Sequence, residues 1–261
     1  MRLGQGWVDV RLTWLGHSTV VLDLDGVRVL TDPLLRPHAG LLRRRGAQPA
    51  PSSWRNPDVV LLSHLHHDHA EVRSLRLLRG VPLMSDPANV AWLRRRKFEP
   101  ALPLSDGWIP VAHGVEVRQV PAVHGHRPMP HRPNVANGHL VRGPSGAVWI
   151  AGDTELYPEM EALPDMAGGS VDVAVVPVWG WGPKLSGGHL SPEDAARAVA
   201  MTRARFAVPV HWGTLHPPLV TRFRRDWFEM PGERFAAAVA VDAPGATAVV
   251  LDPGESWSCP E

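Results

Sequence analysis

The sequence predicts an α/β fold built as one domain over residues 1–261, and three observations carry that reading. The first part of the chain is rich in β-branched and apolar runs. Val59-Val60-Leu61-Leu62 is wholly apolar, as a strand covered on both faces must be, and beyond it helical and strand patterns alternate. At 261 residues, 44% hydrophobic and 20% charged, the chain is long enough to bury a substantial core.

In chain order, residues 8–15, 19–24 and 27–30 read as strands, the last two joined by the turn pair Asp25-Gly26 as a hairpin. Residues 36–57 are rich in Pro, Gly, Ser and Arg and are expected to form a long surface loop. After the buried strand 59–62 come helices near 71–78 and 88–95, then strands at 115–121, 147–151 and 171–176. Ser191 is a good N-cap, Pro192 suits the first helical position, and Glu193 and Asp194 complement the positive helix end, which predicts a helix from Pro192 to about Ala204. A strand over Phe206–Val210 follows, then helices over 219–230 and 232–241 and a closing strand at 247–251.

Composition narrows the function classes. Lys and Arg number 27 against 26 Asp and Glu, so no global field favours nucleic acid or an anionic membrane. The single cysteine, Cys259, allows no internal disulfide and supplies no thiolate ligand in the body of the chain, which fits a reducing, cytoplasmic setting. The first residues lack a long apolar segment, and no stretch approaches the ~18 apolar residues of a membrane span, so neither secretion nor a transmembrane segment is expected. Fourteen histidines and eleven tryptophans stand out instead. Imidazole is a common nitrogen ligand for borderline metals, so the histidines are where chemistry can begin.

The decisive string is Ser63-His64-Leu65-His66-His67-Asp68-His69, which starts where the apolar strand stops. Residues two apart in an extended turn point the same way, so His64 and His66 can grip one cation while Asp68 and His69 turn toward a second. Three more candidates, His124, Asp153 and His211, each follow a predicted strand, and ligands at strand ends converge when the strands share a sheet. Gly152 and Gly213 beside them permit close backbone approach.

His64-x-His66-x-Asp68-His69, followed by His124, Gly152-Asp153-Thr154 and His211, resembles the metallo-β-lactamase superfamily. Trp14-Leu15-Gly16-His17-Ser18-Thr19, Thr31-Asp32-Pro33, His189-Leu190-Ser191-Pro192-Glu193 and His211-Trp212-Gly213-Thr214 are similar to the branch containing N-acylphosphatidylethanolamine phospholipase D and L-ascorbate-6-phosphate lactonase, so the resemblance runs almost end to end. It implies a four-layer αβ/βα sandwich with metals at one edge. His64, His66 and His124 would hold the first metal and Asp68, His69 and His211 the second, with Asp153 bridging. The resemblance implies two divalent ions, most often zinc; the nitrogen and oxygen donors also admit manganese or iron. No cysteine occupies a ligand position, so β-lactamase activity of the thiolate subclass is not expected.

Such a site, carrying about one net positive charge once Asp68, Asp153 and a bridging hydroxide are counted, suits an ester, lactone or phosphodiester whose transition state gains negative charge. The metal-bridging hydroxide is the expected nucleophile. Asp68 is expected to act in catalysis as well as in metal binding. His189, at a family position near the metals, is expected to assist as a neutral imidazole hydrogen-bond donor without being a ligand. The substrate is expected to be a small or lipid-like molecule. The rival classes are a nucleic-acid-processing nuclease of this fold, which would need an RNA-binding arm, and a di-iron redox protein, which would usually need a flavin partner domain.

Lesser signals receive blander readings. His17 and Asp32 are expected beside the metals, Asp32 orienting a ligand histidine through its second nitrogen. His67 is expected to point away, while His126 is as consistent with a surface loop as with the pocket. His38, His113, His131, His139 and His216 are given no role. The runs 43–45 and 94–97 are read as solvated basic surface, and Leu219, Phe223 and Trp227 as a core-facing stripe that could also touch a membrane. Trp179-Gly180-Trp181-Gly182-Pro183 forms no regular element and is expected to make a loop over the site.

Overall fold

The computed structural model describes residues 10–125, 129, 131–218 and 226–260. Two seven-stranded sheets form its centre. The first runs in the order Ser256–Ser258, Val10–Gly16, Thr19–Leu24, Val27–Thr31, Val59–Leu61, Leu83–Ser85 and Ala101–Pro103. The second runs Thr247–Ala248, Phe206–Val210, Val173–Pro177, Gly146–Ile150, Asn137–Gly143, Val115–Pro121 and Ile109–Ala112.

Successive side chains alternate across a strand, and here the sequence supplies apolar groups to both faces. Val59 and Leu61 join the layer between the sheets, with Val117, Val148 and Val175 from the opposite one. Val60 and Leu62 point the other way, into a cluster with Leu75, Trp92 and Leu93 from the helices Val72–Leu75 and Pro87–Arg95. In the second sheet Val173 and Val175 face in, while Ala174 and Val176 face the helices Pro192–Thr202 and Asp226–Asp242. Each such Val or Leu, taken from water, contributes about 1.5–3 kcal/mol, which is why four layers form rather than two. The αβ/βα sandwich is therefore the observed architecture.

The parallel strands fix where a site can lie. Val27–Thr31, Val59–Leu61, Leu83–Ser85 and Ala101–Pro103 run parallel in one sheet, and Gly146–Ile150, Val173–Pro177, Phe206–Val210 and Thr247–Ala248 in the other. Within each sheet their carboxyl ends open on one side, and loops leaving there are brought together.

Several expectations are corrected. The stretch 36–57 is not a bare loop: His38–Ala39 and Leu42–Arg44 pair with each other, and Leu42–Arg44 with Leu215–His216, while Pro51–Trp54 makes one helical turn. Arg44 is not solvated, because its Nη1 and Nη2 donate to the carbonyls of Leu15 and Leu34 at 2.9 and 2.6 Å. A single helix, Asp226–Asp242, stands where two were expected to meet at Pro231. The proline forfeits one backbone bond, but burial of Trp227, Phe228, Phe235 and Val239 holds the helix through it. His126, residues 8–9 and 219–225, including Leu219 and Phe223 of the apolar stripe, lie outside the described residues. Among those described, no helix is long and apolar enough to cross a membrane.

Candidate metal centre

Each candidate ligand sits just past a strand end. His64 to His69 follow Val59–Leu61, Asp153 follows Gly146–Ile150, His211 follows Phe206–Val210, and His124 lies beyond Val115–Pro121. Ligand atoms of His64, His66 and His124 lie within 4.8 Å of one another, as do those of His17, Asp68, His69 and His211. Asp153 falls within the same limit of His64 with His69, and of His124 with His189, so one carboxylate is in reach of both groups. Its Oδ2 is 3.0 Å from His69 Nε2, 3.2 Å from His211 Nε2 and 3.9 Å from Nε2 of His64 and of His124.

The partners of the other ring nitrogens decide which atoms face inward. A carbonyl only accepts, so His124 Nδ1 must donate to Gly188 O at 2.6 Å and His211 Nδ1 to Trp179 O at 2.9 Å. His69 Nδ1 donates to Asp32 Oδ2 at 2.8 Å. His64 Nδ1 lies 2.9 Å from Ser63 Oγ, whose own proton goes to Asp32 Oδ2 at 2.6 Å, so this nitrogen donates too. Four imidazoles thus turn Nε2 lone pairs inward. Nε2 of His64, His69 and His211 and Oδ1 of Asp153 are buried without a hydrogen-bond partner, an arrangement costly in a finished core and suited to a cation. His66 offers its Nδ1, 3.1 Å from His124 Nε2.

Charge states fit the same use. Burial, reinforced by His69, holds His64 well below the ordinary histidine range, and burial lowers His17 to about 3 and His124 to about 4. Those rings are neutral at pH 7. Burial opposes charge on His69 as well, but Asp153 and Asp32 outweigh it and raise this ring well above the usual value in the metal-free chain. Burial would also neutralise Asp68 and Asp153, yet the surrounding histidines keep both well below the carboxylate range. Two carboxylates beside the neutral rings of His64 and His124 are a donor set for divalent cations, and at His69 Nε2 a cation would take the place of the proton shared with Asp153.

The backbone is shaped around these side chains. His17, Asp32 and His211 have φ of 53°, 37° and 64°, a left-handed conformation that costs a non-glycine residue roughly 1–3 kcal/mol and is concentrated at functional sites. His17 is held there by its amide, which donates to Thr214 Oγ1 at 2.7 Å, and by its carbonyl, which accepts from Trp14 Nε1 at 2.8 Å and His211 N at 2.9 Å. Its Nε2 reaches Asp68 Oδ2 at 3.1 Å. Gly152 has φ +65°, and a Cβ there would lie 2.7 Å from Ser63 Cβ. At Gly188, with φ +82°, it would lie 2.7 Å from His124 Nδ1.

Beside the ligands, His189 turns Nε2 toward Asp153 Oδ2 at 3.4 Å. Its Nδ1 lies 3.1 Å from the carbonyls of Ser186 and Gly187 and from Ser186 Oγ; both carbonyls only accept, so the tautomer with its proton on Nδ1 satisfies them, and a neutral His189 then presents an acceptor, not a donor, to the site. Burial opposes protonation, but Asp153 outweighs it and raises His189 in the metal-free chain. The expected neutral donor is corrected accordingly: Nε2 donates only as an imidazolium. A cavity of about 470 Å³ opens onto His66, Asp68, Asp153 and His189, walled by Leu41, Leu42, Met129 and Trp181. The tryptophan loop thus borders the site with one residue and orients His211 with another. His67 is exposed and belongs to no ligand group, and Asp32 takes the orienting position expected of it. Sequence reasoning missed Ser63 and Gly188. Ser63 adjoins the motif and its hydroxyl was a usable signal, whereas nothing local marks Gly188.

Residues 27–212 match the family model described as the Beta-lactamase superfamily domain. The chain belongs to the metallo-β-lactamase superfamily. A UPF0173 metal-dependent hydrolase of Methanopyrus kandleri is 30% identical to this superfamily member over 253 residues, 95% of this chain and 99% of that protein. The N-acyl-phosphatidylethanolamine-hydrolyzing phospholipase D 1 of Caenorhabditis elegans is 24% identical, the match covering 94% of this chain and 74% of that one. Among solved structures, Igni18, a metallo hydrolase of Ignicoccus hospitalis, superposes with a TM-score of 0.73 at 23% identity, over 95% of this chain and 97% of that one, a likeness of fold. Within the metallo-β-lactamase superfamily this chain is a metal-dependent hydrolase.

Proposed function

We propose that this chain is a binuclear hydrolase of a small or lipid-like ester, lactone or phosphodiester. His64, His66 and His124 would hold one divalent cation, Asp68, His69 and His211 the other, and Asp153 would serve both. The convergence of four Nε2 lone pairs and an orphaned carboxylate oxygen in a buried space is the observation that carries this reading. Zinc suits the nitrogen-rich set best, and manganese or iron would be accepted. When bound, the cations supply ionised water at neutral pH and positive charge for the developing oxyanion.

The protein's own groups do the rest. His17, through Nε2, fixes Asp68 Oδ2 and so the edge of the cavity at which the bond is cleaved. Asp32 and Ser63 keep His69 and His64 in the tautomer that exposes Nε2. His189, anchored by two carbonyls, can hold a proton at Nε2 and deliver it to a leaving oxygen in the cavity. Trp181 and Leu42 exclude water from one side.

Elemental analysis of protein purified without added metal, followed by assays on phosphodiesters, lactones and thioesters, tests the proposal. About two cations per chain are expected. Asp153→Asn should lose both, since a neutral amide links two cations poorly. Full activity with a single cation, or unchanged occupancy and turnover in Asp153→Asn, would refute it.

A further inference from the structure

A second cavity, of about 880 Å³, lies against the first and shares Gly40 and His67 with it. Four arginines line it, Arg36, Arg73, Arg76 and Arg132, against one acidic residue, Glu71. That carboxylate is already engaged: it accepts from the amides of Arg73 and Ser74 at 2.9 and 2.6 Å and from Ser74 Oγ at 2.8 Å. Arg36, Arg73 and Arg76 have no ion-pair partner among the described residues. Arg132 is partly buried and fixed, donating through Nη1 to the carbonyls of Leu65 and Ala70 at 2.6 and 3.0 Å and through Nη2 to His67 Nδ1 at 3.1 Å. It therefore ties the floor of this cavity to the backbone that carries His66, Asp68 and His69.

In a chain of net charge +1, three unpaired guanidinium groups around one concavity are a local concentration of positive potential, and concave walls focus such a field. Guanidinium forks match carboxylate and phosphate oxygens two at a time. The adjoining cavity, with Leu41, Leu42, Met129 and Trp181, is mostly apolar where the ligand cluster opens. One small molecule can span both through the shared edge at His67.

We infer that the arginine cavity binds a phosphate or carboxylate group on the non-reacting end of the substrate, a reading that rests on the neighbouring cavity being the hydrolytic one. An anion held away from the reacting bond contributes to binding in the ground and transition states alike, so its loss appears mainly in KM.

The test uses the full metal-loaded chain and the double variant Arg73→Gln/Arg76→Gln, both positions being exposed. Inorganic sulfate, a poor ligand for divalent cations, is titrated by calorimetry at low ionic strength, and its affinity is expected to fall at least about tenfold in the variant. Rates are compared for two esters of like size, neutral p-nitrophenyl butyrate and p-nitrophenyl hydrogen glutarate, which carries a distal carboxylate. The ratio of kcat/KM for the anionic to the neutral ester should drop about tenfold or more, through KM. Equal sulfate affinity in both proteins, or an unmoved ratio, overturns the inference, as does arginine-dependent binding of phosphatidylglycerol vesicles without binding of sulfate. If the wild-type chain turns over neither ester in any metal state, carboxylic esters are excluded as its substrates, and the sulfate titration still decides the anion pocket.

Discussion

Replacing Asp32 by asparagine alters one atom in a network of three donors and two acceptors. Asp32 is buried, its Oδ1 accepting from Ser63 N at 2.8 Å and its Oδ2 from Ser63 Oγ at 2.6 Å and His69 Nδ1 at 2.8 Å. An amide offers one oxygen and one NH₂. Turned one way, the NH₂ confronts the amide of Ser63; turned the other, it confronts His69 Nδ1 and drives the imidazole proton to Nε2, where no lone pair then remains for a cation. Losing one bond to a charged acceptor costs about 1.5–3 kcal/mol and stranding a buried donor about 1–3, so together roughly 2.5–6 kcal/mol. That is a large share of the ~5–15 kcal/mol that hold a domain folded. The urea midpoint of metal-free Asp32→Asn should fall accordingly, and chelator competition should show cation affinity down about 10–100-fold. A variant that matched wild type in both would show that Asp32 does not set the orientation of His69.

His189→Ala should keep its cations by elemental analysis and lose on the order of 10²-fold in rate, the scale of a positioned proton donor; loss of a cation would make His189 a ligand, and normal turnover would make its loop structural. Acid should destabilise the fold through His139, which burial holds at about 4 against 6.5. The unfolded chain takes up the proton that the folded chain refuses, so stability is complete above pH 6.5 and declines as pH falls toward 4, by up to about 3 kcal/mol. His139→Gln should shrink the gap between urea midpoints at pH 7 and pH 4.5, and an unchanged gap would assign the loss elsewhere.

The candidate site was more legible than the fold around it. Four ligand-type residues between His64 and His69 are adjacent in the chain, so their grouping needs no tertiary information. Val59 to Leu62 announced a strand covered on both faces because every residue in it is apolar. By contrast Leu83–Ser85 and Ala101–Pro103 are three residues each, too short for any periodicity, and Asn137–Gly143 carries Asn, two glycines, His and Arg that tertiary packing alone holds extended. Arg44 read as surface because nothing in the sequence brings the carbonyls of Leu15 and Leu34 to its guanidinium. The approach of His189 to Asp153 was illegible for a like reason, since Asp153 lies 36 positions away in the chain and 3.4 Å away in space.

The segment from Trp179 to His189 serves two ends at once, since the carbonyls of Trp179 and Gly188 set the rings of His211 and His124 while Trp181 and His189 face the cavity. A change there that suits a new substrate also disturbs the imidazoles on which every substrate would depend. The opposite wall, Gly40 to Leu42, bears no such duty: Leu41 is 86% exposed and makes no part of a ligand group. Divergence toward new substrates within this lineage is therefore expected to accumulate in the short hairpin around Leu41, with the tryptophan loop left nearly invariant, an asymmetry that random mutagenesis under selection for a new ester would expose.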